Sequence, residues 1–309
     1  MFPHSTRLYV QVEEFRERRK EKALSMKRGE SAGRAKFALI VAVSKYASNN
    51  FNDIPGAIID AKKLEATLVK LGWKVKMALG LPLEQAREKI EEFAGLNAKG
   101  DHDCLVSFVG HGIEVNGHNY LCAADSMLRL TYTSDTTYEN AAKRECLPFD
   151  DVLAEFKDAR GSSAGVTVFV LDCCRVGLGP TPVGFASSTG RSVASSCTSR
   201  APGSTIPAPC SSSEGANLLN SIVIYSTTSG NVADDGKRGK GGPFMRIFCE
   251  EIASGDEVGG VMKRTRKRVL ETSCQLAPDN SLLVDDFFFS TQREHQVSLP
   301  PLSHVSTHS

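Results

Sequence analysis

Two stretches of the chain carry side chains that can do chemistry: Val109-Gly110-His111-Gly112 and Leu171-Asp172-Cys173-Cys174-Arg175. Each stands directly behind a short apolar run. A thiol attacks a carbonyl carbon as its thiolate, and an adjacent imidazole favours that form and can then protonate a leaving amine. Glycines on both sides of His111 let a substrate backbone approach. The N–H of Gly112, with that of the nucleophilic cysteine, can stabilise a developing oxyanion. The chemistry would be acyl transfer through a Cys-His pair. A Cys-Cys at a strand end can also be plain core, because cysteine is among the most buried residue types. His102 precedes its apolar run and is expected at the wrong end of a sheet. His118, in the turn signal Asn116-Gly117-His118, reads as a surface turn residue.

Placing His111 beside a cysteine needs two neighbouring parallel strands, and the pattern supplies them. Phe37–Val43, Cys104–Val109, Val166–Leu171 and Ser221–Tyr225 are short apolar runs rich in β-branched residues, typical of strands buried on both faces. Trp73–Leu79 alternates as a further strand, and Ser281–Phe289 reads as the last. Between them, Ala57, Ala61, Leu64, Leu68 and Leu71 recur at helical spacing up to Gly72. Pro82–Leu96, Pro148–Asp158, Pro243–Ile252 and Val258–Thr272 also read as helices, Pro82 near its first turn. Alternating strands and helices imply an α/β sandwich with a largely parallel sheet, where ligands bind beyond the carboxyl ends of the strands.

The 309 residues suffice for a sizeable core, and 41% hydrophobic with 24% charged residues describes a folding chain. A net charge of +1 argues against nucleic acid as a partner. No apolar run approaches the roughly 20 residues that span a bilayer, so no membrane partner is expected. Charged residues from Glu13 onward disfavour a secretory signal, and nine cysteines without a CxxC pair suggest reduced thiols and a cytoplasmic setting. Residues 1–36 form a basic arm, 37–290 the folded domain and 291–309 a disordered tail. Residues 177–214, crowded with Ser, Pro and Gly, are too long for an ordinary connection. Lys263–Arg268 is read as a solvated basic helix face.

Taken jointly, these motifs resemble the caspase-like cysteine peptidases. A His some 60 residues before Leu171-Asp172-Cys173-Cys174-Arg175 matches the separation in that family. Ile54–Ala61 resembles its first helix start, and Asn119-Tyr120-Leu121 follows the His motif. Tyr225–Ala233, including Ser226 and Thr227, resembles the strand and loop that line the substrate groove, and Gly242-Pro243-Phe244-Met245 the next helix start. The resemblance spans roughly residues 36–290 and implies a three-layer sandwich around a mostly parallel six-stranded sheet. Asp-x-Cys-Arg at 172–175 is similar to the paracaspases, whereas metacaspases usually carry His-Ser-Gly after the nucleophile. By that motif Cys174 is the nucleophile, and Cys173 fills the variable slot and points away by strand alternation.

The resemblance also implies a specificity. No Arg lies between Tyr46 and Asp60, where caspases that cut after Asp carry one. Asp60 and Asp172 instead occupy positions similar to the acidic pocket of paracaspases and metacaspases, suited to Arg or Lys. Asp60 is expected in the first helical turn, where the helix dipole favours its charged form. Asp234 and Asp235 are further candidates for that pocket.

The expectation is a cysteine endopeptidase cleaving proteins after Arg or Lys. His111 and Cys174 are catalytic, the amides of Gly112 and Cys174 form the oxyanion hole, and Asp60, Asp172, Ser226 and Thr227 bind substrate. Arg191 and Arg200 in the insert are candidate self-cleavage sites, as are Lys237, Arg238 and Lys240 in a later loop. No cofactor or metal site is expected; a calcium-dependent metacaspase-type enzyme is one alternative, and a catalytically silent scaffold another. A homodimer through the 281–289 strand is the expected self-association.

Overall fold

The structure, a computed structural model, describes residues 34–128, 135–161, 163–176, 218–236 and 240–290. Arg191, Arg200, the insert around them, most of the basic arm, Lys237, Arg238 and the tail lie outside these residues. Six strands form one sheet in the order β2-β1-β3-β7-β8-β9. They are β1 Lys36–Ala42, β2 Lys74–Leu79, β3 Asp103–Val109, β7 Thr167–Asp172, β8 Ser221–Tyr225 and β9 Asp279–Ser281. All pair in parallel except β9, which runs antiparallel to β8.

Alternation along the central strands sends successive side chains into two separate cores. Ala38, Ile40, Val168 and Val170 join one core, with helices α1 Gly56–Lys70, α5 Pro243–Ile252 and α6 Val258–Ser273. Leu39, Val41, Phe169 and Leu171 join the other, with α2 Leu83–Asn97 and α4 Phe149–Arg160. Helices thus cover both faces of the sheet. Leu64 and Leu68 of α1 are fully buried, each worth about 1.5–3 kcal/mol relative to exposure. Gly72, at φ 90°, turns the chain out of α1 as the sequence predicts.

A small antiparallel sheet, β4 Gly112–Val115, β5 His118–Leu121 and β6 Leu147–Pro148, follows directly on His111. Asn116 and Gly117 both take positive φ, the demand of a type I′ hairpin turn. Helix α3, Asp135–Glu145, precedes β6.

Two expectations need correction. The last strand is Asp279–Ser281 rather than Ser281–Phe289. Beyond Leu282 the described residues make only one isolated bridge, Glu257 to Phe288, and Phe287 and Phe289, alternate residues, pack into the core against Trp73 and Phe248 without a strand partner. Free thiols are also not universal: among the described residues six cysteines are free, but Cys274, in the left-handed conformation after α6, is disulfide-bonded. Among the described residues, no helix is long and apolar enough to cross a membrane.

Candidate active site

Strand register brings the two reactive motifs together. Val109 of β3 is the partner of Asp172 of β7, and Gly110 N–H donates to the Asp172 carbonyl at 3.2 Å. Two residues further along each chain stand His111 and Cys174. Cys173 belongs to the core beneath the sheet with Leu171, whereas Cys174, 9% exposed, falls on the opposite parity. The two thiols thus lie on opposite faces of the turn after β7.

The hairpin after His111 must pass close under this turn. A Cβ at Gly112 would sit 2.6 Å from Cys173 Sγ and 2.8 Å from the Cys174 carbonyl oxygen, closer than any real side chain. Gly112 is needed for contact distance, and it brings its own backbone beside the Cys173–Cys174 turn.

The imidazole is held by neighbours that sequence reasoning missed. His111 Nε2 lies 2.8 Å from the Asn52 carbonyl. A carbonyl only accepts, so Nε2 carries the hydrogen and Nδ1 is left as the basic nitrogen of the neutral ring. The rings of Tyr46 and Phe51 flank it at 4.7 and 5.3 Å, and the Tyr46 hydroxyl accepts the His111 backbone N–H at 2.7 Å. Burial holds the imidazole below its ordinary pKa, against the Asn52 contact and the Asp235 charge. Asn52 had no sequence signal, because it acts through a backbone oxygen.

Burial pushes the Cys174 thiol up to about 11, eased by the Ala233 N–H, which donates to Sγ at 3.4 Å. Among the described residues no hydrogen bond joins Sγ to the imidazole. Both shifts favour the uncharged forms, a thiol at Cys174 and a neutral imidazole at His111. Burial likewise raises the Cys173 thiol well above its ordinary value.

Asp60 and Asp172 do converge. Both carboxylates lie around Gly242, whose N–H donates to Asp60 Oδ2 at 2.8 Å. Asp60 is 4% exposed and Asp172 8%. Burial pushes Asp172 up to about 8, with the Asp60 charge adding to the rise. Burial also pushes Asp60 up to about 6, against the Gly242 hydrogen bond. This corrects the expectation of a dipole-stabilised charge: α1 begins at Gly56, so Asp60 is a turn further in, and desolvation wins. Asp234 bears electrostatically on Asp172, and Asp235 on Asp60. Burial raises the Asp235 carboxyl as well.

Ser226 and Thr227 are buried where β8 leaves the sheet, on the flank of Asp172. Gln275 ties this segment together: Nε2 donates to the Ser226 carbonyl at 2.7 Å, and Oε1 accepts from Asp234 N–H at 3.1 Å. Arg175, also missed as a site residue, is 5% exposed. Its guanidinium pairs with Glu114 at 2.9 Å, donates to Asn119 at 3.0 Å and lies 4.2 Å over the Tyr225 ring. Its backbone N–H donates to the Asn231 carbonyl and its carbonyl accepts from Gly230 N–H. The Cys174–Arg175 turn is thereby stitched to the β4–β5 hairpin and to the loop after β8.

His102 and His118 are elsewhere, as expected. His102 precedes β3, its ring against Phe37, and its carbonyl accepts from Arg160. His118 opens β5 and contacts Asp150. In the basic stretch of α6, Arg264 and Arg268 pair with Glu251 and Arg266 with Asp279.

Comparison with known proteins matches this architecture. The caspase-1 structure from Spodoptera frugiperda superposes with a TM-score of 0.58 at 17% identity, covering 85% of this chain and 92% of that one. At that identity the likeness speaks for the fold. No curated protein sequence matches the chain. The caspase-domain profile of peptidase family C14 matches residues 35–296, nearly the whole described region and both reactive motifs. With the sheet, the register and the sequence profile in agreement, the chain belongs to the caspase-domain family of cysteine peptidases.

Proposed function

We propose that the protein is an endopeptidase that cleaves polypeptides after Arg or Lys through Cys174 and His111. The observation that carries this reading is the buried carboxyl pair Asp60 and Asp172, set around Gly242, with the Asp172 charge felt at the Cys174 thiol. A guanidinium or ammonium entering there would draw both acids into their charged forms and offset their desolvation. An aspartate side chain would meet only repulsion.

The chemistry follows from the resting protonation. Nδ1 of His111 takes the Sγ proton as sulfur attacks the substrate carbonyl, so that a free thiolate need not accumulate. The Gly112 and Cys174 amides receive the oxyanion. The C–N bond then breaks as Nδ1–H protonates the leaving amine, and water hydrolyses the thioester by the reverse transfer. These steps need no metal or organic cofactor. The Asp-x-Cys-Arg motif at 172–175 favours a paracaspase-like enzyme. Arg191 and Arg200 are then self-cleavage sites, and β9 is the edge along which a second copy would pair.

One observation favours a silent, scaffolding domain instead: burial raises the Cys174 thiol rather than activating it. Fluorogenic peptides ending in Arg, Lys or Asp, offered to the intact protein and to Cys174→Ala with calcium present or chelated, separate the readings. Arg or Lys turnover that vanishes in Cys174→Ala supports the proposal. Turnover of Asp peptides alone sinks the pocket assignment. Turnover only with calcium moves the enzyme to the metacaspase type, and none in any arm favours the scaffold.

A further inference from the structure

An open groove of about 560 Å³ lies at the carboxyl ends of β1 and β2, lined chiefly by Lys45, Tyr46, Ala47, Ile58, Leu79 and Ala124. Its frame is pinned by backbone bonds: Ala47 N–H to the Ala124 carbonyl, Ala124 N–H to Leu81, and Gly80 N–H to Ala42. Tyr46 is a wall shared with the catalytic site, since its ring flanks His111 and its hydroxyl accepts the His111 N–H. Strand order sets the direction. From β8 towards β2, the chain presents Ser226 and Thr227, then Cys174, then His111, then this groove.

We propose that the groove binds the part of the substrate that follows the scissile bond, and that it selects an apolar residue accompanied by an acidic one. The inference rests on the peptidase reading and extends it to the other half of the substrate. Asp60, Asp172 and the β8 loop occupy the acyl side of Cys174. The leaving segment must pass His111, which protonates its amine, and the next surface on that path is the groove. Neighbouring strands are about 4.8 Å apart, so β1 and β2 lie roughly 10 and 14 Å from β7. At about 3.3 Å per extended residue, the occupants are the third and fourth residues beyond the scissile bond. Ile58, Leu79 and Ala124 offer apolar surface, and Leu79 is 40% exposed with nothing packed over it. Lys45 is exposed at the rim, and among the described residues no carboxylate pairs with it. Its charge calls for an acidic partner.

The test uses internally quenched peptides with Arg before the scissile bond and Leu followed by Glu, or Leu followed by Lys, at the third and fourth positions after it. Each is scored against an Arg reporter that has no residues beyond the bond, so a general loss of activity cancels. The Glu peptide is expected to be preferred about fivefold, as attraction on one side and repulsion on the other at an exposed pair allow. Lys45→Glu should invert that preference. Equal ratios for the two peptides in both proteins would overturn the proposal while leaving the peptidase reading intact. If the intact protein turns over neither peptide nor reporter, the peptidase reading fails by itself. Binding of fluorescein-labelled acetyl-Ala-Leu-Glu-amide to Cys174→Ala then decides the groove. Saturable binding that Lys45→Glu weakens supports it, and binding indifferent to Lys45 refutes it.

Discussion

If Asp60 and Asp172 receive a basic side chain, binding of that side chain must be linked to protons. Asp172 sits near 8 and Asp60 near 6 because both are desolvated, with the Asp60 charge adding to the rise at Asp172 and the Asp235 charge to that at Asp60. A cation needs the ionised form, and that form is scarce in the empty site at neutral pH. With Asp172 as the gate, its ionised fraction rises from about 0.01 at pH 6 to about 0.5 at pH 8, an affinity gain of about 50-fold. If both acids must be charged, the gain is about 100-fold over the same span. The clean measurement uses Cys174→Ala, which has no nucleophilic thiol to titrate, and acetyl-arginine amide, whose guanidinium stays charged throughout. Calorimetry from pH 6 to 9, in buffers of differing ionisation heat, should show affinity climbing to a plateau above pH 8 and release of about 0.9 proton per ligand at pH 7. Asp172→Asn should flatten the profile above pH 7 and bind weakly throughout. An affinity constant within twofold from pH 6 to 8, with no proton released, would refute the assignment of these acids to the cation.

Other predictions concern the frame around the site. An acid whose folded-state pKa lies above its unfolded value costs stability as pH rises, here between about pH 4 and 8 for Asp172. Asp172→Asn should therefore raise the melting temperature more at pH 8 than at pH 5, and an equal shift at both would contradict the buried-acid account. Tyr46→Phe removes the acceptor of the His111 N–H. It should cost about 1–3 kcal/mol in denaturant titration and lower kcat more than it raises KM. Glu114→Ala strands the Arg175 guanidinium in a buried setting. A loss of about 3–5 kcal/mol is expected, and a loss below 1 kcal/mol would show that water reaches the arginine.

What could be read from the chain, and what could not, divides along physical lines. The central strands were legible because residues such as Phe37–Val43 and Val166–Leu171 are apolar on both faces, and no other element of that length needs this. The glycine at 72 and the proline at 82 marked helix boundaries through backbone conformation alone. The His-Cys pairing was legible because both residues end strands, and strand ends in a parallel sheet share one edge. The direction in which the fold shifts Asp60 was misread, because a sequence shows distance from a helix start but not the solvent removed by a glycine segment some 180 residues away. The last strand was misread because Phe287 and Phe289 satisfy an alternating pattern while serving as plugs for a core. Asn52 and Tyr46 left no trace, one acting through a carbonyl oxygen and the other as an aromatic in a loop.

The junction of β7 with β8 has a consequence for a protein in two pieces. The chain between Val176 and Leu218 joins two strands that are already neighbours, bonded from Thr167–Ser221 to Leu171–Tyr225. Arg175 adds two backbone bonds to the loop at Gly230 and Asn231. A break anywhere in the intervening chain removes none of these bonds and opens neither core. The fragments would travel as one particle through gel filtration and part only in denaturant with reductant present, since Cys274 is disulfide-bonded. A nick there would leave in place the strand pairing and the loop contacts that hold the described residues together.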